Sequence, residues 1–91
     1  AVAVVNETEH LLGIITDGDL RRMLEKYPDV DGLKARDIMS RHPKTISEEE
    51  LAYNVFMLME KNSITQLVVT GEEHIYKGMV HLHDILREGV V

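Results

Sequence analysis

A threonine and an aspartate three residues apart are the sharpest candidates for chemistry in this sequence of 91 residues. Thr16 follows the apolar run Gly13–Ile15, and Asp19 stands where apolar residues begin to recur at helical spacing. A carboxylate in that place accepts two hydrogen bonds from vicinal hydroxyls such as those of a ribose, and the threonine hydroxyl and free helix N–H groups can meet a phosphate. The alternative is that Asp19 only caps the following helix, a position that suits aspartate.

A second site of the same kind lies 65 residues further along the chain. Asp84 keeps the position of the aspartate there, and His81 takes the position of the threonine. Histidine donates to a phosphate, more strongly when protonated, but the exchange equally marks a site that has lost its ligand. His81 and His83 also form an H-x-H pair, which on a strand would place two imidazoles on one face for a metal ion. No third ligand accompanies them, so we predict no metal site.

Both sites belong to an internal repeat that extends beyond them. A shift of 65 positions places Val2–Val4 on Leu67–Val69 and Gly13–Ile15 on Gly78–Val80 without a gap. Each copy has the pattern of strand, turn, strand, tight turn and helix. The second copy also has an upstream strand and a long helix within Thr45–Asn62, for which the first copy has no counterpart.

The repeat predicts two parts, residues 1–32 as the C-terminal half of a first copy and residues 33–91 as a complete second copy. In the first part the pattern predicts a buried strand at Ala1–Val5, a strand at Leu11–Thr16 and a helix at Asp19–Lys26. In the second part it predicts strands at Thr45–Ile46, Gln66–Thr70 and Gly78–His81, a long helix beginning at Ser47, and a helix at Asp84–Glu88 closed by Gly89. Ser47 and Glu50 match the S-x-x-E capping box directly before the apolar stripe of the long helix.

The stretch Gly13–Leu20, with the sequence G-I-I-T-D-G-D-L, resembles the nucleotide-contact stretch of CBS domains, G-h-h-T-x-x-D-h, where h is apolar. Three stretches are similar in sequence to the C-terminal CBS pair of bacterial arabinose-5-phosphate isomerases: Thr16–Arg22, Asp37–Ser40 and His81–Gly89. The resemblance implies an α/β (α+β) fold of CBS-type β-α repeats, with two small sheets and flanking helices about a pseudo-twofold axis. It also implies ligand contacts in both copies, at Thr16, Asp17, Asp19, Arg22, His81, His83 and Asp84.

The same resemblance implies a regulatory role for these residues. In that family a sugar isomerase domain precedes the CBS pair and interconverts ribulose 5-phosphate and arabinose 5-phosphate, on the way to the eight-carbon sugar acid of lipopolysaccharide. We expect that domain upstream of Ala1 and no catalytic residue within these 91. They would require no cofactor and would sense an adenine nucleotide or a nucleotide-sugar as effector. The alternative is a structural oligomerisation module without a ligand.

Oligomerisation is expected in either case. Copy one lacks a helix to cover its sheet, and uncovered apolar surface usually marks an interface. We therefore predict a homodimer through the CBS pairs, with Phe56 or Met57 near the contact.

Composition sets the remaining limits on function. The formal net charge of −6 argues against general nucleic-acid binding, which needs a basic face. No apolar run approaches the roughly 20 residues of a membrane span, and no signal segment opens the chain. The absence of cysteine excludes disulfides and thiolate metal sites. It also fits a reducing compartment, so we expect a cytoplasmic protein.

Overall fold

The computed structural model describes residues 1–87 and 89, and the backbone divides into two compact units, Ala1–Pro43 and Lys44–Val91. Unit 1 holds strand β1 (Val2–Val5), strand β2 (Leu11–Ile15), helix α1 (Asp17–Lys26), helix α2 (Ala35–Ile38) and strand β3 (Ser40–Arg41). Unit 2 holds strand β4 (Thr45–Ser47), helix α3 (Ala52–Asn62), strand β5 (Gln66–Thr70), a 3-10 turn (Glu72–His74), strand β6 (Tyr76–His81) and helix α4 (Leu82–Arg87). The predicted mixed fold of two small sheets with flanking helices is confirmed.

The sheet of unit 1 is antiparallel throughout, in the order β1-β2-β3. The Asn6 side chain organises the first hairpin, because its Oδ1 accepts from the backbone N–H groups of Thr8 at 3.0 Å and His10 at 2.9 Å. Strand β3 passes very close to β2. A Cβ atom on Gly13 would lie 2.5 Å from the carbonyl oxygen of Ser40, so only glycine fits at that position.

Strand β3 and helix α2 therefore pack with unit 1, and the boundary between the two units along the chain falls between Pro43 and Lys44. The division of the sequence at residues 32 and 33 concerns which positions are equivalent in the two repeats, and it stays a prediction.

The sheet of unit 2 has the order β4-β5-β6, with β4 parallel to β5 and β6 antiparallel to it. A parallel pair needs a crossover connection, and α3 supplies it. Val55 and Met59 of α3 face the core, where they are buried together with Leu67 and Ile85. Within the described residues, no helix is both long and apolar enough to cross a membrane.

The internal repeat holds at the level of strand register. Val4 lies opposite Gly13 in unit 1, and Val69 lies opposite Gly78 in unit 2. Both hairpins then shift register at the next residue, between Val4 and Val5 and between Val69 and Thr70, which are also 65 positions apart. A bulge is a specific backbone feature, so its recurrence shows that the two hairpins are copies of one structural unit.

The prediction of a buried first strand is wrong. Val2 is 62% exposed and Val5 is 39% exposed, whereas Leu67, the counterpart of Val2, is only 2% exposed. Leu67 lies in the core beneath α3 and α4, and among the described residues of unit 1 no long helix takes the place of α3. An apolar strand is buried only when another layer covers it.

The predicted helix cap at Ser47 is also wrong. Helix α3 begins five residues later, after Leu51, which supplies no side-chain cap. Ser47 instead ends β4, opposite Thr70, and its hydroxyl accepts from the N–H of Glu49 at 3.2 Å in an exposed turn. The backbone of Ser47 is thus committed to the sheet, and the capping-box pattern does not operate.

The ends of the last helix follow the prediction only in part. Helix α4 begins at Leu82, and the predicted end at Glu88 lies outside the described residues. The N–H of Gly89 donates to the carbonyl of Leu86 at 3.2 Å with a φ of 73°, a left-handed conformation that suits glycine after a helix.

Candidate functional site

The predicted pair of Thr16 and Asp19 meets at the start of α1. Thr16 is the residue before the helix, and its hydroxyl oxygen accepts from the Asp19 N–H at 3.2 Å. In return, Oδ2 of Asp19 accepts from the Thr16 N–H at 2.8 Å and from the Thr16 hydroxyl at 3.1 Å. This is a reciprocal capping box. Asp19 therefore sits three positions inside the helix, and the alternative that it is the cap residue itself is wrong.

The second carboxylate oxygen of Asp19 is occupied as well. Its Oδ1 accepts from the Ser40 hydroxyl at 2.7 Å and from Nη2 of Arg22 at 2.5 Å. The side chain of Asp19 is only 4% exposed, whereas that of Arg22 is 67% exposed. Sequence reasoning missed Ser40, because a contact across 21 residues leaves no local pattern. The one signal was Asp37–Ser40 among the stretches that carry the family resemblance.

These contacts fix the charge of Asp19. Burial raises the pKa of its carboxyl, but the hydrogen bonds from Thr16, Ser40 and Arg22 outweigh burial and lower the pKa from 3.8 to about 2. Asp19 is thus a buried carboxylate that stays ionised and has all four contacts supplied by unit 1.

Unit 2 repeats part of this arrangement around Asp84. The guanidinium of Arg87 pairs with the Asp84 carboxylate, with the same spacing as Arg22 and Asp19. The rest differs, because His81 replaces the threonine and, among the described residues, no serine reaches this carboxylate. The side chain of Asp84 remains 50% exposed. The two aspartates thus occupy equivalent positions but differ in accessibility.

The remaining predicted site residues lie on the surface. Asp17 in unit 1 and His81 and His83 in unit 2 are exposed. Within the part of the chain that the structure describes, no three His, Asp or Glu side chains are arranged to hold a metal ion.

An apolar cleft opens in unit 2 between the sheet and its helices. Its volume is about 180 Å³, and its lining side chains are Ile46, Ser47, Glu48, Glu50, Ala52, Val55, Val69, Val80 and Ile85. Ligand pockets usually begin at about 300 Å³, so a cleft of this size takes one ring system while the rest of a ligand lies outside. Hydrogen bonds from the Asn54 side chain and the Leu51 N–H lower the pKa of Glu50 at the rim.

A second cleft, of about 170 Å³, lies in unit 1 beside helices α1 and α2. Its charged lining residues balance in sign: Asp19, Arg22, Lys26 and Asp37. Lys26 also lies 5.5 Å from the centre of the Tyr27 ring. The cleft therefore presents no excess of charge for an ionic ligand.

Fold, repeat and paired aspartates agree with the comparison to known families. The sequence model of the CBS domain matches residues 1–26 and 35–90. The chain belongs to the CBS domain family. Because the match covers nearly all of the sequence, these 91 residues are a regulatory CBS region and not a catalytic domain.

Among individual proteins, the chain is similar to the arabinose 5-phosphate isomerase KdsD of Francisella tularensis. The two are 42% identical over 84 residues, which are 92% of this chain and 26% of that protein. The chain thus spans about a quarter of the length of this curated relative.

Solved CBS structures share the fold. The CBS domain pair of protein MJ0100, solved with 5′-methylthioadenosine and S-adenosyl-L-methionine, is 29% identical with a TM-score of 0.76 and covers 96% of this chain and 70% of its own. The cytosolic domain of the magnesium channel MgtE, solved with ATP, is 26% identical with a TM-score of 0.76 and covers 94% and 32% respectively.

Proposed function

We propose that these residues sense an adenosine-class ligand and thereby regulate a sugar-phosphate isomerase of the arabinose 5-phosphate type, in the lipopolysaccharide pathway. The single observation that carries the proposal is the half-exposed carboxylate of Asp84. Ile85, the next residue, lines the apolar cleft of unit 2. A base and its ribose require an apolar slot followed by a hydroxyl acceptor.

The chemistry of unit 2 suits such a ligand. The planar base would lie against Val80 and Ile85, which supply apolar surface. The Asp84 carboxylate would accept hydrogen bonds from the vicinal ribose hydroxyls, and such bonds to a charged acceptor are the stronger kind. His81 and His83 are exposed and would donate to a phosphate or another polar 5′ substituent. The sequence also predicted ligand contacts in unit 1, at Thr16, Asp17, Asp19 and Arg22. The Asp19 carboxylate is buried and already bonded there, so we place the ligand in unit 2.

The effector class is supported by the similar structures. The MJ0100 pair was solved with 5′-methylthioadenosine and S-adenosyl-L-methionine, and the MgtE domain with ATP, all of which contain adenosine. An adenine nucleotide or a nucleotide-sugar has the same base-plus-ribose chemistry. We propose no required cofactor and a cytoplasmic location, where such metabolites are present.

Regulation follows from linkage. A ligand shifts the activity of an attached enzyme only if its affinity differs between the active and inactive states. In this proposal the isomerase domain precedes these residues, as the family resemblance implies, and ligand binding in unit 2 changes the balance between its states.

Isothermal titration calorimetry of the 91-residue chain tests the proposal, with 5′-methylthioadenosine, S-adenosyl-L-methionine, AMP and ATP as probes. We expect at least one probe to bind and Asp84→Asn to weaken it about tenfold or more, the equivalent of one charged hydrogen bond. Glu60→Gln makes the same chemical change at an exposed position of α3 and is the matched control. If no probe binds, or if both variants bind like the wild type, the proposal is wrong.

A structural oligomerisation module is the second candidate, and exposed apolar side chains in unit 1 favour it. Leu20 is 42% exposed and Leu24 is 67% exposed, while Ile85, the counterpart of Leu20, is 5% exposed in the core of unit 2. A homodimer that uses this patch on both chains would cover it. Met57 is 46% exposed and Phe56 packs partly against the core, so the predicted role of α3 at the contact rests on Met57. Light scattering at micromolar concentration should give twice the monomer mass, and a monomer would exclude this candidate.

A further inference from the structure

Asp19 and Asp84 occupy equivalent positions, but different donors reach their carboxylates. Asp19 and Asp84 each pair with an arginine three residues later, so the arginine does not explain why one side chain is 4% exposed and the other 50%. Thr16 binds only Oδ2 of Asp19. On Oδ1 of Asp19 the Ser40 hydroxyl, 2.7 Å away, is a donor that comes from outside helix α1, beside Nη2 of Arg22 from within it.

Resting on the function proposed above, we propose that Ser40 closes the site of unit 1 by taking the place of a ligand hydroxyl on Asp19. A serine hydroxyl and a ribose hydroxyl present the same O–H donor to a carboxylate. The bond from Ser40 is short and has a charged acceptor, so it is among the stronger hydrogen bonds. A ligand gains little at Asp19 when it only exchanges one hydroxyl for another that is already in place.

The backbone holds Ser40 in this position. Ser40 pairs with Ile14, and Arg41 pairs with Gly13, in the β2–β3 ladder. The absence of a side chain at Gly13 lets the Ser40 carbonyl approach closely. The Ser40 hydroxyl is already ordered in the folded chain, so its bond to Asp19 involves no further loss of conformational entropy. A ligand hydroxyl competes with it at a disadvantage, because ligand binding does lose entropy.

Removal of the Ser40 hydroxyl should therefore open unit 1. The counterparts of Val69, Val80 and Ile85 in unit 1 are Val4, Ile15 and Leu20, all of them partly or largely accessible. Val4 and Ile15 from the sheet and Leu20 from α1 would supply apolar surface for a base. Unit 1 has no described counterpart of Val55, so we expect the opened site to be weaker than that of unit 2.

The test is the number of 5′-methylthioadenosine molecules bound per chain, measured by calorimetry and by NMR titration of the Thr16 and Asp19 amide signals. Ser40→Ala should add one site and shift these two signals, while Ser40→Thr, which keeps the hydroxyl, should behave like the wild type. Ser40→Cys, with a weaker donor of similar size, replaces Ser40→Ala if the alanine variant does not fold.

The outcomes separate this inference from the proposed function. A site gained in Ser40→Ala supports the closing role of Ser40 even if the wild-type chain binds no ligand. The absence of binding by the wild-type chain would reject only the site proposed in unit 2. An unchanged number of sites in a folded Ser40→Ala or Ser40→Cys variant overturns the inference, whatever unit 2 does.

Discussion

The Ser40 hydroxyl donates a 2.7 Å hydrogen bond to Oδ1 of Asp19, and this bond joins strand β3 to helix α1 across 21 residues of chain. Asp19 also accepts from Thr16 and Arg22, so hydrogen bonds from three residues stabilise its ionised form. A carboxylate held in this way is both a structural clamp and a titratable group, and its contribution to stability depends on pH.

Acid should weaken unit 1 through Asp19. The pKa of Asp19 is about 2 in the folded chain and 3.8 ordinarily, so the unfolded chain binds the proton more readily. The stabilisation is therefore fully present above about pH 4 and is lost as pH falls toward 2, at about 2 kcal/mol in total. Chemical denaturation between pH 5 and 2 measures it. Asp19→Asn should reduce the dependence of the free energy of unfolding on pH. Glu25→Gln, an exposed change in the same helix, should leave that dependence as in the wild type. The same pH dependence in the wild type and both variants would contradict this account.

Gly13→Ala should destabilise the chain by about 1–3 kcal/mol, the range for forcing extra atoms into a packed position. The new Cβ would lie 2.5 Å from the Ser40 carbonyl oxygen and 2.9 Å from Sδ of Met39. Gly32→Ala is the matched control, because a Cβ there meets no atom within 4 Å. Thermal denaturation of both variants checks the prediction, which fails if the two melt at the same temperature.

Met59→Ala should lower the free energy of unfolding by about 2–5 kcal/mol, because Met59 is 1% exposed in the core of unit 2 and its truncation leaves a cavity. Met57→Ala removes the same atoms from a side chain that is 46% exposed on the same helix. We expect a change within about 0.5 kcal/mol for that variant in the monomer. Urea denaturation compares the two, and similar losses would mean that the faces of α3 are assigned wrongly.

Leu51→Ser should stabilise α3 by about 1 kcal/mol, since a serine at the cap position can accept from a free N–H of the first turn. Leu51 is 69% exposed and makes no side-chain cap. Ser47→Ala, by contrast, should change the free energy of unfolding by less than about 0.5 kcal/mol. If Ser47→Ala lowers the melting temperature and Leu51→Ser leaves it unchanged, Ser47 is the helix cap after all.

The hairpins could be predicted from the sequence, because their register depends on local pattern. Glycine at positions 13 and 78 and the valine-rich strands opposite them sufficed to align the two copies, and both bulges recur at the same offset. The Thr16–Asp19 pairing is local in the same sense. The strand Thr45–Ser47 was predicted apart from its last residue.

What the sequence alone did not reveal depends on distant partners. Ser47 and Glu50 have the same spacing as Thr16 and Asp19, yet only Thr16 and Asp19 form a capping box. Ser47 is held in β4 by its pairing with Thr70, 23 residues away, and that contact overrides the local pattern. Ser40 is a similar case, since nothing near it in the sequence identifies Asp19 as its partner.

The most direct test of the proposed function is a titration of the ¹⁵N-labelled chain with 5′-methylthioadenosine, followed by two-dimensional NMR. The account predicts saturable shifts of the backbone signals of Ile46, Val80 and Ile85 around the cleft of unit 2. The signals of Asp19 and Ser40 in unit 1 should stay unchanged. Shifts confined to unit 1 would place the ligand at the wrong aspartate, and a spectrum unchanged in both units with this probe and with AMP would contradict a ligand-sensing role.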